Sequence, residues 1–549
     1  MEQAFADASS LVSEHTGNLI TEANNSAAML NQAIGGGGGN NTVEVAVPEN
    51  VDVQIDIVLG AIDTHDSNGG SIDSTRDGAV SSQGDLSSGG ETQSIGGGGG
   101  RLVLLTDDVA GDAEINLIVG ADPSFNNHGG DITRNLLNDV STSGDYAIGE
   151  LIQSIGAGGG ANYVIGGGNP TLNITLGATD GSTGNGGSIQ LINQGDMRTA
   201  GDMSHGFVLQ SIGGGGGLTL TDLDAVTVNP SDNNGGNGGP ISFTNVGDIY
   251  VSGEGGFGVL LQSLGGGGGF VDDAYFGSTG GAGMGGAISL DQSGNISAAS
   301  PGGIAVMAQS EGIDGQDTIT ISIDGVVIGG TGPQAGAIDI RGGTINEVSI
   351  SSDSFVLSRN MELLRGGEGD DRLLLDGVGI GNVDLGGGTN SLIVGQSGEL
   401  IALELIDLGE DGVLDIAGKF TLGGEVLLAG EPLFEGSGLI QKQDPVFNSV
   451  DLENLSPDDL NVVGLADGPD LTIVGSVNFQ STSTFSRDIY FDRENAWTEP
   501  PMIMNVSGDF SLSGEVDPNL VHLGQARPFS LLSAGGDLNA TGAYVDDTY

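Results

Sequence analysis

The chain has 549 residues, of which 73 are acidic and 13 basic, so its formal net charge is −60; it has 104 glycines and no cysteine. Binding to nucleic acid or to an anionic membrane surface requires clustered Lys and Arg, so both partners are disfavoured. No apolar run reaches about 18 residues, so no membrane-spanning helix is predicted.

A repeat with six copies fills the first 312 residues, and each copy ends in a glutamine followed by a glycine-rich run. The clearest copies begin this ending at Gln93, Gln210 and Gln262, while Gln32 and Gln153 open looser copies and Gln309 a degenerate one. The copies end near residues 39, 100, 160, 217, 269 and 312. Long-period repeats of this kind are typical of solenoids, in which each unit buries its apolar face on the next.

Within each copy, short segments rich in β-formers alternate with turns. In the fourth copy the segments are 188–192, 197–201 and 206–212. A glycine or asparagine stands fifteen residues before each glutamine, which predicts a turn with a left-handed residue. These turn residues are Gly17, Gly78, Asn138, Gly195, Gly247 and Gly294. The same offset predicts strand in the first 30 residues, where helix was the competing interpretation.

The distance between successive glutamines falls from 61 to 47 residues, and all of the variation lies between the glycine run and the next Gly-Gly pair. Fixed rungs with variable loops on one side are expected of a solenoid. We expect about 22 residues per rung, two to three rungs per repeat and a rod of about 100 Å, with loops that present Asn, Asp and Thr to partners. The predicted fold is therefore all-β: a right-handed parallel β-helix (β-solenoid) forming an elongated rod.

Two features of the repeat leave alternatives open. The glycine runs are compatible with a flexible insert, with a tight corner where backbones approach closely, or with a sheet patch free of side chains. The repeated glutamine is compatible with a hydrogen bond to a turn backbone or with a solvent-facing side chain.

A second kind of β sequence, rich in Leu, Val, Gly and Asp, occupies residues 363–440. It contains one match to the calcium-binding nonapeptide, starting at Gly366 and including Glu368 and Asp371. Backbone carbonyls and the Asp371 carboxylate are the hard oxygen ligands that calcium prefers. Because such sites share ions between adjacent turns and this motif stands alone, a solenoid corner is the favoured interpretation.

The composition predicts three segments. Residues 1–350 form the glycine-rich repeat β-helix and residues 351–440 a distal β-helix, whereas residues 441–549 form a junction and a terminal β segment. The junction loses glycine and gains prolines and the single tryptophan, Trp497. The N-terminus lacks a signal-peptide pattern, so we expect the chain to lack its natural start.

No motif for catalysis or cofactor binding is found. The five histidines are scattered without paired spacing, and the glycine runs are not followed by the Lys-Ser/Thr of a phosphate loop. No catalytic or cofactor-binding residue is predicted. A β-helix glycan hydrolase or lyase remains the enzyme alternative, since a neutral-sugar hydrolase needs only two acidic residues.

The repeat sequence, clearest at 187–217 and 239–269, resembles the passenger region of autotransporter (type V secretion) outer-membrane proteins of Gram-negative bacteria. The resemblance covers roughly residues 9–312, and 382–388 is similar to the distal passenger. It implies a surface-exposed β-helix carried by an outer-membrane barrel in the full-length protein; no sequence for that barrel is recognised after residue 441.

The expected function is therefore an extracellular adhesin or structural stalk without catalytic activity, whose partner is a surface receptor or a glycan. No cofactor is expected. A calcium-dependent secreted β-roll protein is the alternative binding function.

Overall fold

In a computed structural model of the chain, the structure describes residues 7–429 apart from 50, 63, 110–112, 122, 168–169, 232–233, 273, 277–280, 410–411 and 424–425, and beyond 430 it describes the backbone of short strands. All regular structure in this part of the chain is β-strand, and it contains no helix that is long and apolar enough to cross a membrane. The chain divides into two compact units: unit 1 is Met1–Thr320 with Arg341–Thr344, and unit 2 is Ile321–Ile340 with Ile345–Tyr549.

Unit 1 stacks its repeats as six levels, numbered here from the level of Gln32 to that of Gln309. Three faces of parallel strands run through the levels. Face 1 consists of Leu11–Thr16, Ile72–Asp77, Ile132–Leu136, Ile189–Asn193, Ile241–Asn245 and Ile288–Gln292. Face 2 consists of Leu19–Thr21, Val80–Ser82, Val140–Thr142, Met197–Thr199, Ile249–Val251 and Ile296–Ser297. Face 3 consists of Leu30–Ile34, Gly90–Ile95, Glu150–Ile155, Phe207–Ile212, Val259–Leu264 and Ile304–Glu311.

The glycine runs lead into two further parallel sheets, which we call the side sandwich. The first sheet consists of Gly38–Val47, Gly99–Val109, Gly159–Ile165, Gly216–Thr221 and Gly268–Val271. The second consists of Val53–Leu59, Ala113–Val119, Thr171–Leu176 and Val226–Pro230. The two sheets share an apolar core that includes Val45, Leu104, Leu117 and Ile174. At the fifth level Ala274–Phe276 pairs antiparallel with the last strand of the first sheet. Elsewhere, the short strands Thr64–His65 and Ser124–Phe125 pair with each other in parallel.

The side sandwich corrects two predictions. Gln153 pairs directly with Gln210, so one repeat makes one level and not two to three rungs. The variable segments are largely strands with their own core, not loops, and the shortening of the repeat follows the shortening of the first sheet's strands from 11 residues in Gly99–Val109 to 4 in Gly268–Val271. The predicted length of about 100 Å rested on the wrong number of rungs per repeat.

Face 3 is the centre of unit 1, because its strands are buried on both sides. In Glu150–Ile155 every residue is buried. On one side, Glu150 accepts from Arg134 of face 1 and Ser154 donates to Gly130, just before face 1 begins. On the other side, Gln153 donates to Gly160 in the first sheet of the side sandwich. Strands buried on both faces show no alternation of buried and exposed residues, and the polar members of this strand, Glu150, Gln153 and Ser154, make hydrogen bonds inside the core.

Unit 2 is built from shorter rungs. Leu373 pairs with Leu392, Leu392 with Leu414, and Leu414 with Phe434, so a rung takes about 20 residues. One parallel sheet of unit 2 contains Ile345–Ile350, Asp370–Leu375, Ser391–Val394, Val413–Ile416 and Leu433–Gly436. Other strands are Ile319–Ile323, Val326–Gly329, Gly336–Gly342, Phe355–Arg365, Val378–Asp384, Glu399–Ala402, Leu405–Asp407, Lys419–Leu422, Val426–Ala429 and Leu439–Lys442.

The last strands described are Pro445–Val446, Asn461–Val462, Leu471–Ile473, Val477–Phe479, Thr484–Ile489, Met504–Val506, Phe510–Leu512, Glu515–Leu520, Leu532–Ala534, Leu538–Asn539 and Tyr544–Val545. Apart from the antiparallel pair Pro445–Val446 and Asn461–Val462, these strands make parallel pairs. The long in-register parallel sheets confirm the predicted all-β, parallel β-helix class.

Candidate functional site

The repeated glutamines form a ladder of hydrogen bonds inside unit 1. Each Nε2 donates to the Oε1 of the glutamine in the next level, and the five bonds measure 2.6–2.7 Å. The middle members Gln93, Gln153, Gln210 and Gln262 are fully buried. Each of these four also donates to the carbonyl seven residues ahead, at the last glycine of its run, over 3.1–3.4 Å. The side chains thus face the core and a glycine carbonyl, not solvent.

The serine after each of the four buried glutamines joins a level to the next one, whereas Ala33 follows Gln32. Ser154 Oγ donates to Gly130 O over 2.8 Å and accepts from Gly187 N over 2.8 Å. Ser94, Ser211 and Ser263 make the same two bonds to the Gly-Gly corners of their own and the following levels. This link explains why Gly-Gly and Gln-Ser keep a fixed spacing while the sequence between the glycine run and the next corner varies.

The oligoglycine run is a corner that continues into a strand whose first two residues are glycines without side chains. Gly214 and Gly215 have φ of 78° and 83°, and Gly216 and Gly217 have φ of 128° and 142°. A Cβ at Gly216 would lie 2.0 Å from the carbonyl oxygen of Gly268 in the next level. Both the backbone conformation and the close stacking therefore require glycine, and the flexible-insert interpretation is not favoured.

The predicted turn glycines Gly195, Gly247 and Gly294 do stack level on level, but for a different reason from the one expected. Their φ angles are not positive, unlike that of Gly17 at 111°. A Cβ at Gly247 would lie 2.0 Å from Gly195 O, and one at Gly294 would lie 2.3 Å from Gly247 O. Close approach between levels, and not a left-handed turn, explains glycine at these positions.

A buried ionic cluster joins levels 2 and 3 between faces 1 and 3. Glu150 accepts from Arg134 Nε at 2.8 Å and from Arg76 Nη1 at 3.2 Å, and all three side chains have zero exposure. Arg134 Nη1 also donates to Ser74 Oγ at 2.6 Å. Burial lowers the pKa of Arg76, and the charge of Glu150 opposes this shift. Nothing in the local sequence of Arg76 or Arg134 marks these side chains as buried, so the cluster was not predicted.

A second buried ion pair lies between face 3 and the first sheet of the side sandwich. Arg101 Nε binds Glu91 Oε1 at 3.1 Å, and its Nη2 donates to Leu86 O at 2.7 Å. The guanidinium lies 4.8 Å from the ring centroid of Tyr163, whose pKa is raised mainly by burial. Three of the five arginines of residues 1–350 are thus withdrawn from the surface.

The next two levels place aromatic rings where levels 2 and 3 place charges. Phe207 and Phe243 have ring centroids 4.8 Å apart, and His205 lies 5.2 Å from Phe257 and 5.5 Å from Phe270. His205 Nδ1 accepts from Phe257 N at 3.1 Å, which requires the proton of the neutral ring to be on Nε2. Burial lowers the pKa of His205 to about 3. Its environment suits a neutral core residue.

The surface of unit 1 carries two columns of acidic side chains. In each column a side-chain oxygen accepts the backbone N–H of the next level over 2.8–3.1 Å. One column consists of Asp139, Asp196 and Asp248, and the other of Asp85, Asp145, Asp202 and Glu254. Arg198, whose side chain is 56% exposed, pairs with Asp196 at 3.3 Å. These hydrogen bonds offset repulsion between carboxylates stacked at about 4.8 Å intervals.

The predicted calcium candidate lies at a corner of unit 2. Asp371 is 3% exposed; its Oδ1 accepts from Asn346 Nδ2 at 2.6 Å and its Oδ2 from Gly367 N at 3.0 Å. A Cβ at Gly366 would lie 2.2 Å from Asp371 Oδ2, so glycine makes room for the carboxylate. Glu368 follows in the same corner. Burial raises the pKa of Asp371 to about 6. Donors on both oxygens favour the structural role of this carboxylate in the corner over a calcium ligand.

Within the described ranges no group of three or more His, Asp or Glu side chains is placed to hold a metal ion. Comparisons with protein-family models, with curated proteins and with solved structures give no match. The fold is therefore assigned from the geometry of the chain itself.

Proposed function

We propose that the chain is an autotransporter-type passenger, displayed on the cell surface or secreted, that acts as an adhesin or structural stalk and not as an enzyme. In the full-length protein it would be held at the outer membrane by a barrel. The observation that carries the proposal is the unbroken glutamine ladder through the six levels of unit 1. Hydrogen bonds that cross every level inside a buried core resist separation of the levels, which is what a stalk must do.

The surface supports the extracellular, binding half of the proposal. The acidic columns are exposed or half-buried, whereas Arg76, Arg101 and Arg134 are buried. A surface with this charge balance repels nucleic acid and anionic lipid. The partners that fit it are receptors or glycans that are recognised by polar contacts with Asn, Asp and Thr.

The test separates the two roles. Beads coated with the full chain are measured for attachment to cell monolayers and to a glycan array, against beads coated with an acidic protein of matched charge. Attachment above the control supports an adhesin. Without attachment, single-molecule pulling should show unit 1 resisting force as one block, as a stalk requires; stepwise opening at low force together with no attachment contradicts both roles.

Two other functions stay predictions with their own tests. A calcium-dependent β-roll requires a melting temperature that rises with calcium and falls with chelator. A β-helix glycan hydrolase or lyase requires turnover on a glycan panel.

A further inference from the structure

The frame of unit 1 does not distinguish levels 2 to 5 from one another. The Gln–Gln bond, the serine link and the glycine contacts recur at successive levels. A stack with level 4 placed directly on level 2, and level 3 expelled, would keep all three interactions. Repeats that share one frame therefore need something else to specify their order.

The interior side chains differ between levels 2, 3 and 4, where the frame is constant. Three residues before the glutamine stand, in order of level, Met29, Gly90, Glu150, Phe207, Val259 and Val306. In the register of face 1, Arg134 lies between Ser74 below and Leu191 above. Shape and charge at these positions therefore distinguish levels 2, 3 and 4 from one another.

Levels 2 and 3 are the most sharply matched pair. Arg76 of level 2 reaches Glu150 of level 3 at 3.2 Å, and Arg134 of level 3 reaches Ser74 of level 2 at 2.6 Å. A Cβ at Gly90 would lie 2.3 Å from Glu150 Oε2, so the glycine of level 2 provides the space for the carboxylate above it. With level 4 on level 2, Phe207 would occupy that place and Arg76 would face a ring.

We propose that the buried cluster Arg76–Glu150–Arg134 is a register lock, which selects the order in which otherwise equivalent levels stack. A buried ion pair suits this task because its net contribution to stability is small, whereas a buried charge without its partner strongly disfavours any other order. Buried polar groups fix the register of coiled coils by the same logic.

The test uses the absence of cysteine from the chain. Asp73 and Ser289 are exposed and lie in one register column of face 1, four levels apart. In the full chain, D73C and S289C carry spin labels, and electron paramagnetic resonance measures their separation. The backbone positions are about 19 Å apart in the native order and about 5 Å closer when one level is expelled.

The variant R76L/R134L/E150F gives level 3 the residues that level 4 carries at two of these positions. We expect it to add a second, shorter distance to the single native one. The control I155A removes buried apolar volume from level 3 but leaves the cluster intact, and should keep the single distance. E150Q keeps the side-chain shape without its charge, and serves if the triple variant does not fold; it should show the shorter distance as a minor population.

A single native distance in every folded cluster variant overturns the proposal. So does a second distance in I155A of the same size, because slippage would then follow from lost stability alone.

Discussion

Replacing Gln210 by leucine should break the ladder at its centre. The side chain donates to Gln262 Oε1 and accepts from Gln153 Nε2, each over 2.7 Å, and it is fully buried. Q210L leaves Gln262 Oε1 and one Nε2 hydrogen of Gln153 without their ladder partner in the core, and it also removes the longer bond to Gly217 O. At about 1–3 kcal/mol for each orphaned group, the expected loss in the free energy of local opening is about 2–6 kcal/mol.

The control is Q32L at the end of the ladder. Gln32 is only half-buried and has a single ladder neighbour, Gln93, so its loss should cost about 1 kcal/mol. Because stacked repeats need not unfold in one step, the assay is amide hydrogen exchange of the face 3 strands, not a single melting temperature. If Q210L opens no more readily than Q32L, the ladder does not stabilise the stack and the reasoning fails.

The other predictions concern glycine, protons and ions. Amide hydrogen exchange of the stacked strands should show that G216A lowers the free energy of opening by more than about 2 kcal/mol, because a Cβ there would clash and φ is 128°. G37A, with φ of 104° and open space around it, should lose about 1–2 kcal/mol, and G235A, which has neither restriction, should lie within about 0.5 kcal/mol of wild type; equal losses would refute the stacking argument. The pKa of His205 is about 3 in the folded chain against 6.5 in the unfolded chain, so stability present above pH 6.5 should fall as the pH drops, by at most about 1.4 kcal/mol per pH unit, and H205F should lack this component. The pH dependence of stability that comes from Asp371 has the opposite sign. Its pKa is raised to about 6, so the stability that it contributes at low pH is lost as the pH rises through 6. In pH-dependent melting, D371N should lack this component. At matched ionic strength, calcium and magnesium should raise the melting temperature of this chain of net charge −60 equally; a specific rise with calcium would instead support a β-roll.

The sequence predicts the fold class and the strand positions of unit 1 because both depend on local spacing. Gln153 and Gln210 are 57 residues apart and still pair directly, and the offset of Gly17 places strand in the first residues, where Leu11–Thr16 indeed forms one. A repeat whose offsets never slip contains its own register, since any one-residue shift would turn its buried side chains outward.

The number of levels and the side sandwich could not be obtained in the same way. The strand Gly99–Val109 reads as a variable insert because the corresponding segment shortens from copy to copy, to 4 residues in Gly268–Val271. The glycine requirement at Gly247 is a contact with the level below and not a local φ, and single-sequence reasoning recognises the second cause more readily than the first. Likewise, nothing near Arg76 predicts that its partner is Glu150, 74 residues ahead.

The frame of unit 1 and its interior side chains therefore have different roles in stacking the levels. From level 2 to level 5 the frame of Gln, Ser and Gly gives each level the same hydrogen bonds, which makes stacking strong but leaves the order of these levels undetermined. Levels 2 and 3 add charges, and levels 4 and 5 add the rings of Phe207, Phe243 and Phe257. A repeat under selection only for stability would gain by making all levels alike, because each optimal contact could then recur. That the interior varies while the frame is constant indicates that the order of the levels, as well as their cohesion, is specified by the sequence.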